Sequence, residues 1–203
     1  LMQAYRDHRS GKATDAALAI AQDDAIREAI TLQEAVGLES ITDGEFRRAS
    51  YWSSFVERVD GLEIKNAAFT FRDECGHEQA FTAPHVSGPV RRQQAIAVDE
   101  FEFVRASTIQ TPKTTLPSPP SMHFWRVDQG IDQTVYPDTK SYFTDLAAVY
   151  RQEIAALAAA GSTYIQLDDV PFAMLCDPEV RTKVASKNMS ARSLLSTDQI
   201  KIL

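Results

Sequence analysis

Cysteine is scarce in this chain: Cys75 and Cys176 are its whole complement in 203 residues. Two such thiols build no disulfide framework, which excludes a disulfide-stapled secreted scaffold and leads us to expect a reducing, cytoplasmic setting. Neither they nor His8, His77, His85 and His123 fall into a His-x-Cys or Cys-x-x-Cys spacing, so no zinc site can be read. Long apolar runs are lacking too. None approaches the ~20 residues that a membrane-spanning helix needs, and the first residues lack the layout of a secretory leader. Positive charge is in the minority. A formal net charge of −7 argues against nucleic acid as a partner. Low-complexity tracts and clear linkers are missing as well. What remains, with 44% hydrophobic content, is a globular chain able to build a core.

The most informative stretch is Tyr164-Ile165-Gln166-Leu167-Asp168-Asp169, an apolar run that ends in paired carboxylates and is then stopped by Pro171. Aromatic and β-branched residues favour a buried strand, so the two acids must sit where it meets solvent or ligand. In front of it, Phe143, Leu146, Tyr150, Ile154 and Leu157 recur at helical steps from Ser141 to Ala160, and Gly161 ends the helix. The same unit occurs earlier. Leu18, Ala21, Ala25, Ala29, Leu32 and Val36 form a stripe, Gly37 stops it, and Leu38 to Thr42 lead into Asp43-Gly44-Glu45.

Two more short strands are predicted, His85 to Val90 and Lys113 to Leu116, the latter running into Pro117-Ser118-Pro119. Between them Asp99 to Thr108 predicts a helix with Phe101 and Val104 inward, its acids suited to the positive first turn. Repeated helix and strand argue for a parallel α/β sheet, and polar residues at several strand ends favour a (β/α)8 TIM barrel. Gly61 to Ala83 breaks the rhythm. Phe69, Phe71 and Phe81 alternate with polar residues around Glu74-Cys75-Gly76-His77, which predicts a β-hairpin insertion on the barrel. A complete barrel takes typically about 250 residues. Leu1 to Tyr5 read like the middle of a helix and Asp198 to Leu203 carry no stop signal, so residues 1–203 are expected to form a single incomplete barrel domain. Within the tail from Lys183 to Leu203, Ser190 to Leu195 reads as the start of a further helix.

Thr42-Asp43-Gly44-Glu45-Phe46-Arg47-Arg48, then Lys113 to Pro119, then Tyr164 to Asp169 resemble, in order and spacing, the catalytic barrel of cobalamin-independent methionine synthase, especially its shorter single-barrel relatives. The resemblance runs from Ala4 to Arg181. It implies a methyltransferase-like barrel that passes a methyl group from 5-methyltetrahydrofolate to the zinc-bound thiol of homocysteine. By the same resemblance Glu45 contacts homocysteine, Asp168 holds its amino group, and Trp125 stacks on the pterin. Asp43, Ser118 and Asp169 are placed at the same substrate site, Asp169 standing where the family usually has Glu. The family's zinc ligands lie downstream of the Asp168 motif, so the isolated chain is expected to be inactive.

Bland readings stand beside these. Asp43 and Glu45, like Asp168 and Asp169, can simply cap helices. Arg47 and Arg48 suit either an anionic substrate or a solvated surface. Trp125 equally fits core packing, and His123 is expected at the surface or a pocket rim. Lys113 is either a Schiff-base lysine or an exposed strand start. Cys176 is expected as a small buried thiol. Two other functions stay open: a zinc-independent barrel of the uroporphyrinogen decarboxylase type, and a non-catalytic half barrel whose open edges self-associate or take a partner.

Overall fold

The computed structural model describes residues 1–72 and 74–187. The elements in chain order are α1 (Met2–Arg9), α2 (Asp15–Ala35), β1 (Ser40–Ile41), α3 (Ser53–Arg58), β2 (Val59–Arg72), β3 (Glu78–Arg92), α4 (Val98–Ser107), β4 (Thr111–Pro117), α5 (Thr139–Ala159), β5 (Tyr164–Asp168), α6 (Val170–Met174) and α7 (Pro178–Ser186). Two 3-10 segments, Pro119–Met122 and Phe124–Gln129, link β4 to α5. The expected helix within Ser190 to Leu195 lies outside the described residues.

Strands β1, β4 and β5 pair in that order, all parallel, which bears out the expected α/β class. No closed barrel forms among the described residues. Helix α5 covers the layer much as its spacing predicts: Phe143, Leu146, Tyr150 and Leu157 are buried, and Gly161 ends the helix at φ 97°. Phe101 and Val104 of α4 also turn inward as expected. Helix α2 departs from expectation. Its buried residues are Ile26 and Ile30, while Leu32 and Val36 face solvent at 65% and 67% exposure. Apolar residues lie all round this helix, so the alanine-rich stripe and the isoleucine stripe compete, and the larger side chains gain more on burial.

The hairpin is longer than the predicted Gly61 to Ala83. Strands β2 and β3 pair antiparallel from Val59 opposite Arg92 to Arg72 opposite Glu78, so His85 to Val90 belong to the returning arm of the hairpin and not to the parallel layer. The reason lies at Gly61, where the register shifts between Asp60 and Leu62 and φ is 79°. A Cβ there would come within 2.4 Å of the Gly88 carbonyl oxygen, so two glycines facing each other let the arms cross and keep pairing. Phe69 and Phe81 then pack with Phe124 and Trp125 in an aromatic cluster under the hairpin.

One buried carboxylate joins hairpin and layer. Glu153 of α5, 0% exposed, accepts from Arg92 Nε at 2.8 Å and from the backbone N–H groups of Ile96 and Ala97 at 2.9 and 2.7 Å. It thereby ties the end of β3 to the start of α4.

Candidate functional site

Parallel pairing places the ends of β1, β4 and β5 along one edge of the layer. Pro117 pairs with Asp168, and the Ser118 N–H donates to the Asp168 carbonyl at 3.0 Å. The Ser118 hydroxyl, buried, donates to Asp169 Oδ1 at 3.1 Å, and Gln166 Nε2 donates to Asp168 Oδ1 at 2.6 Å. Across β4 on the other side, the Thr115 hydroxyl donates to Glu45 Oε1 at 2.6 Å. Glu45, Ser118, Asp168 and Asp169 are therefore brought to neighbouring strand ends.

Each acid also has a local reason to be where it is. Asp43 is 7% exposed and accepts the Glu45 N–H at Oδ1 over 3.0 Å, closing a tight turn that holds Gly44 at φ 67° and Glu45 at φ 58°. Asp169 caps α6, accepting the Phe172 N–H at 3.3 Å, with Pro171 in the first turn. Asp169 stays exposed while its cap fixes its rotamer, whereas the second oxygen of Asp43 is buried.

The serine row continues inward. Ser118 Oγ and Ser121 Oγ are 3.2 Å apart, and the Tyr51 hydroxyl donates to Ser121 Oγ at 3.2 Å. Burial raises the Tyr51 hydroxyl above the ordinary tyrosine value, hydrogen bonds with the Ser121 and Trp125 side chains pull it down, and the charges of Asp168 and Asp169 push it up. Tyr51 is thus within electrostatic reach of both acids. Beneath β4, the Tyr150 hydroxyl donates to the Pro117 carbonyl at 2.6 Å, and full burial holds that hydroxyl well above its ordinary value, so it stays a donor. Neither tyrosine carried a signal in the sequence beyond helical spacing or aromatic composition.

Beside the acids lies a cavity of about 540 Å³ lined by Tyr51, Trp52, Phe81, Thr82, Trp125 and Val170. Its size and aromatic lining suit a small organic ligand. Trp125 reaches it with little free surface. The indole is 2% exposed and meets Phe69 and Phe81 edge-on at 6.5 and 5.6 Å between centroids. Core packing thus holds Trp125 here, and no open face is presented for stacking.

Other expectations are corrected by burial. His123 is 1% exposed and packs edge-on against Tyr142 and Phe143, so it is not a surface residue, while it does line a cavity of about 300 Å³ with Val127, Asp128 and Tyr136. Cys176 is exposed, lying just past the short α6. Arg47 pairs with Asp23 at 2.5 Å and lies over the Phe103 ring at 4.4 Å. Arg48 is drawn inside, its side chain 3% exposed, against Glu100. Lys113 is half-buried over the Tyr164 ring at 5.8 Å. Among the described residues no three His, Cys, Asp or Glu side chains converge so as to hold a metal ion. The zinc that the resemblance implies finds no such ligand group among the described residues.

A family profile described as the catalytic domain of cobalamin-independent synthase matches residues 2–193. The chain belongs to that family. It is 29% identical over 170 residues to the methionine synthase of Sulfurisphaera tokodaii, an alignment that covers 83% of this chain and 47% of that one. It is 30% identical over 161 residues to a 5-methyltetrahydropteroyltriglutamate–homocysteine methyltransferase of Thermosynechococcus vestitus, covering 77% and 20% respectively. Among solved structures, a candidate vitamin-B12-independent methionine synthase of Listeria monocytogenes superposes with a TM-score of 0.67 at 28% identity, covering 97% of this chain and 57% of that one. The chain spans about half the length of the first relatives it matches. No helix among its described residues is long and apolar enough to cross a membrane.

Proposed function

We propose that the strand-end acids hold the amino-acid substrate of a methyl transfer, with homocysteine as acceptor and methyl-folate as donor. The observation that carries this is the convergence of Glu45, Ser118, Asp168 and Asp169 at adjacent ends of β1, β4 and β5. Carboxylates in that arrangement suit a substrate ammonium, with Asp168 as its main partner and Glu45 and Asp43 shaping the far wall. The 540 Å³ aromatic cavity, which Val170 lines beside Asp169, suits the flat donor, with Phe81 and Trp125 as part of its wall.

In the transfer itself a sulfur–carbon bond forms as the donor's nitrogen–carbon bond breaks. A free thiol has a pKa of about 8.5, so it is mostly protonated at neutral pH. In the family zinc supplies the thiolate; among the described residues no three His, Cys, Asp or Glu side chains converge to hold it. This chain is therefore expected to bind the amino acid without turning it over. Titration calorimetry with L-homocysteine and L-methionine tests the reading: saturable binding is expected, and Asp168→Asn should weaken it by about tenfold, roughly 1.4 kcal/mol. Equal affinity of the variant would overturn the assigned role. Methyl transfer from methyl-tetrahydrofolate by this chain in zinc would overturn the expected inactivity. The family match favours this reading over the decarboxylase-type alternative.

A second reading, self-association, is favoured by Tyr164, Leu167 and Phe172, exposed at 42%, 37% and 62% along β5 and α6. Sedimentation across a concentration series checks it. A monomer at all concentrations would end it.

A further inference from the structure

The guanidinium of Arg48 is held on several sides near the strand ends. It meets both oxygens of Glu100 through Nε at 3.3 and 3.2 Å and Oε2 again through Nη2 at 2.5 Å. It also donates to the Thr115 hydroxyl at 3.1 Å and the Thr115 carbonyl at 3.0 Å, and lies 3.2 Å from Glu45 Oε1. One further bond, at 3.5 Å, reaches the Tyr51 carbonyl. Both members of the ion pair are buried, with side-chain exposures of 3% for Arg48 and 7% for Glu100. Burial works to lower the Arg48 group, but the hydrogen bond and charge of Glu100, with Glu45 and Asp43, raise it overall. Burial also raises Glu100, against the pull of Arg48. Because an arginine keeps its proton in proteins, the positive half of the pair is permanent.

The two simple roles for such an arginine fail here. A solvated surface charge would not be buried. An anion subsite needs room, yet the space enclosed by Asp43, Arg48, Glu100, Thr114 and Thr115 is about 10 Å³, roughly the room of one water molecule. We propose that Arg48 is a positioning residue: held by Glu100, it fixes the Glu45 carboxylate and the end of β4 in one geometry and binds no substrate anion itself. Two features make this necessary. Glu45 sits at φ 58°, a conformation a non-glycine residue keeps only when its surroundings over-determine it. Its Oε1 receives both Thr115 and Arg48, so the turn after β1 is tied to β4 at that atom and, through the Arg48–Glu100 pair, to α4. Lysine cannot serve several acceptors from one planar fork, so it is a poor replacement.

The inference rests on the reading that Glu45 faces the amino-acid substrate, and the test separates the two. Affinity for L-methionine is measured for the 203-residue chain and for Arg48→Lys, Glu45→Gln and their combination, with unfolding midpoints alongside. Arg48→Lys is expected to lose about tenfold with little change in midpoint. On the Glu45→Gln background the same change should cost nothing more, since neighbouring residues acting through one group are non-additive. Unchanged affinity in Arg48→Lys, or losses that multiply, would overturn the positioning role. Amide exchange of residues 43–48 in the unliganded chain gives an answer independent of binding. Arg48→Met/Glu100→Met replaces the pair with apolar side chains of similar length, a change that often preserves stability. It should speed exchange in that turn by about tenfold while β2 and β3 stay protected. Uniformly faster exchange, or none, overturns the role, and absent methionine binding by the unaltered chain counts only against the substrate reading.

Discussion

In the parallel layer β1 is two residues long and β5 five, whereas the hairpin arms β2 and β3 run to fourteen and fifteen. The short strands pair residues far apart in the chain, Ser40 with Thr111 and Thr114 with Ile165, and what they deliver is their ends, where Glu45, Ser118, Asp168 and Asp169 meet. The long arms pair locally across one turn, and what they deliver is an apolar face: Phe69 and Ala83 seat against Phe124 and Trp125. Strand length and site content thus run in opposite directions. Local pairing sets the register of the hairpin and its packing on Phe124 and Trp125 holds it down, while the layer depends on helices α4 and α5 and on polar anchors to hold its ends in register.

The contrast can be broken most sharply at the joint between the two regions. Glu153→Ala leaves Arg92 and the Ile96 and Ala97 N–H groups without their buried partner, and about 4 kcal/mol of unfolding free energy should go, read by urea denaturation. A loss below ~1 kcal/mol would mean that the layer and the hairpin are held by apolar packing alone. Next, Phe69→Ala should cost about 3 kcal/mol, shift tryptophan emission to the red as Trp125 gains water, and leave amino-acid affinity untouched. Lost affinity would show that the hairpin core shapes the strand-end site. Smaller still, Asp169→Ala removes the α6 cap and the Ser118 contact; about 1 kcal/mol is expected from unfolding curves.

A further effect is confined to high pH. Tyr136, whose hydroxyl accepts from the Val90 N–H and donates to Asp145, is pushed up to about 12 from 10.0, chiefly by burial. A phenol that loses its proton later in the folded than in the unfolded chain contributes stability that is complete below pH 10 and is lost as pH rises through 12. Tyr136→Phe should flatten that part of the curve of melting temperature against pH. An unchanged slope would assign the loss to other groups.

The acidic strand ends were legible because an apolar run stopped by charge has few ways to be satisfied, and Asp168 and Asp169 followed from that alone. The helix stop at Gly161 was equally plain. The rest depended on competition that spacing does not rank. Ile26 and Ile30 displaced an alanine-rich stripe on α2, and the facing pair Gly61 and Gly88 carried the hairpin into a segment that reads as a separate strand. Glu100 shows only a favourable first-turn acid in sequence. Its bond to Arg48, fifty-two positions away, has no sequence signal.

Local chemistry was enough to announce strands that end in carboxylates, helices that end in glycine, and a family whose motifs sit at those ends. Burial and partnership belonged to the folded chain alone: that Arg48 turns inward to Glu100 and Glu45, that Trp125 is wrapped by Phe69 and Phe81, and that Tyr51 joins the serine row leading to Asp169. The physical reason is range. A run or a stop is set by neighbours within a few residues, while the fate of a charge or an aromatic face is set by whichever distant side chain packing brings within hydrogen-bond reach.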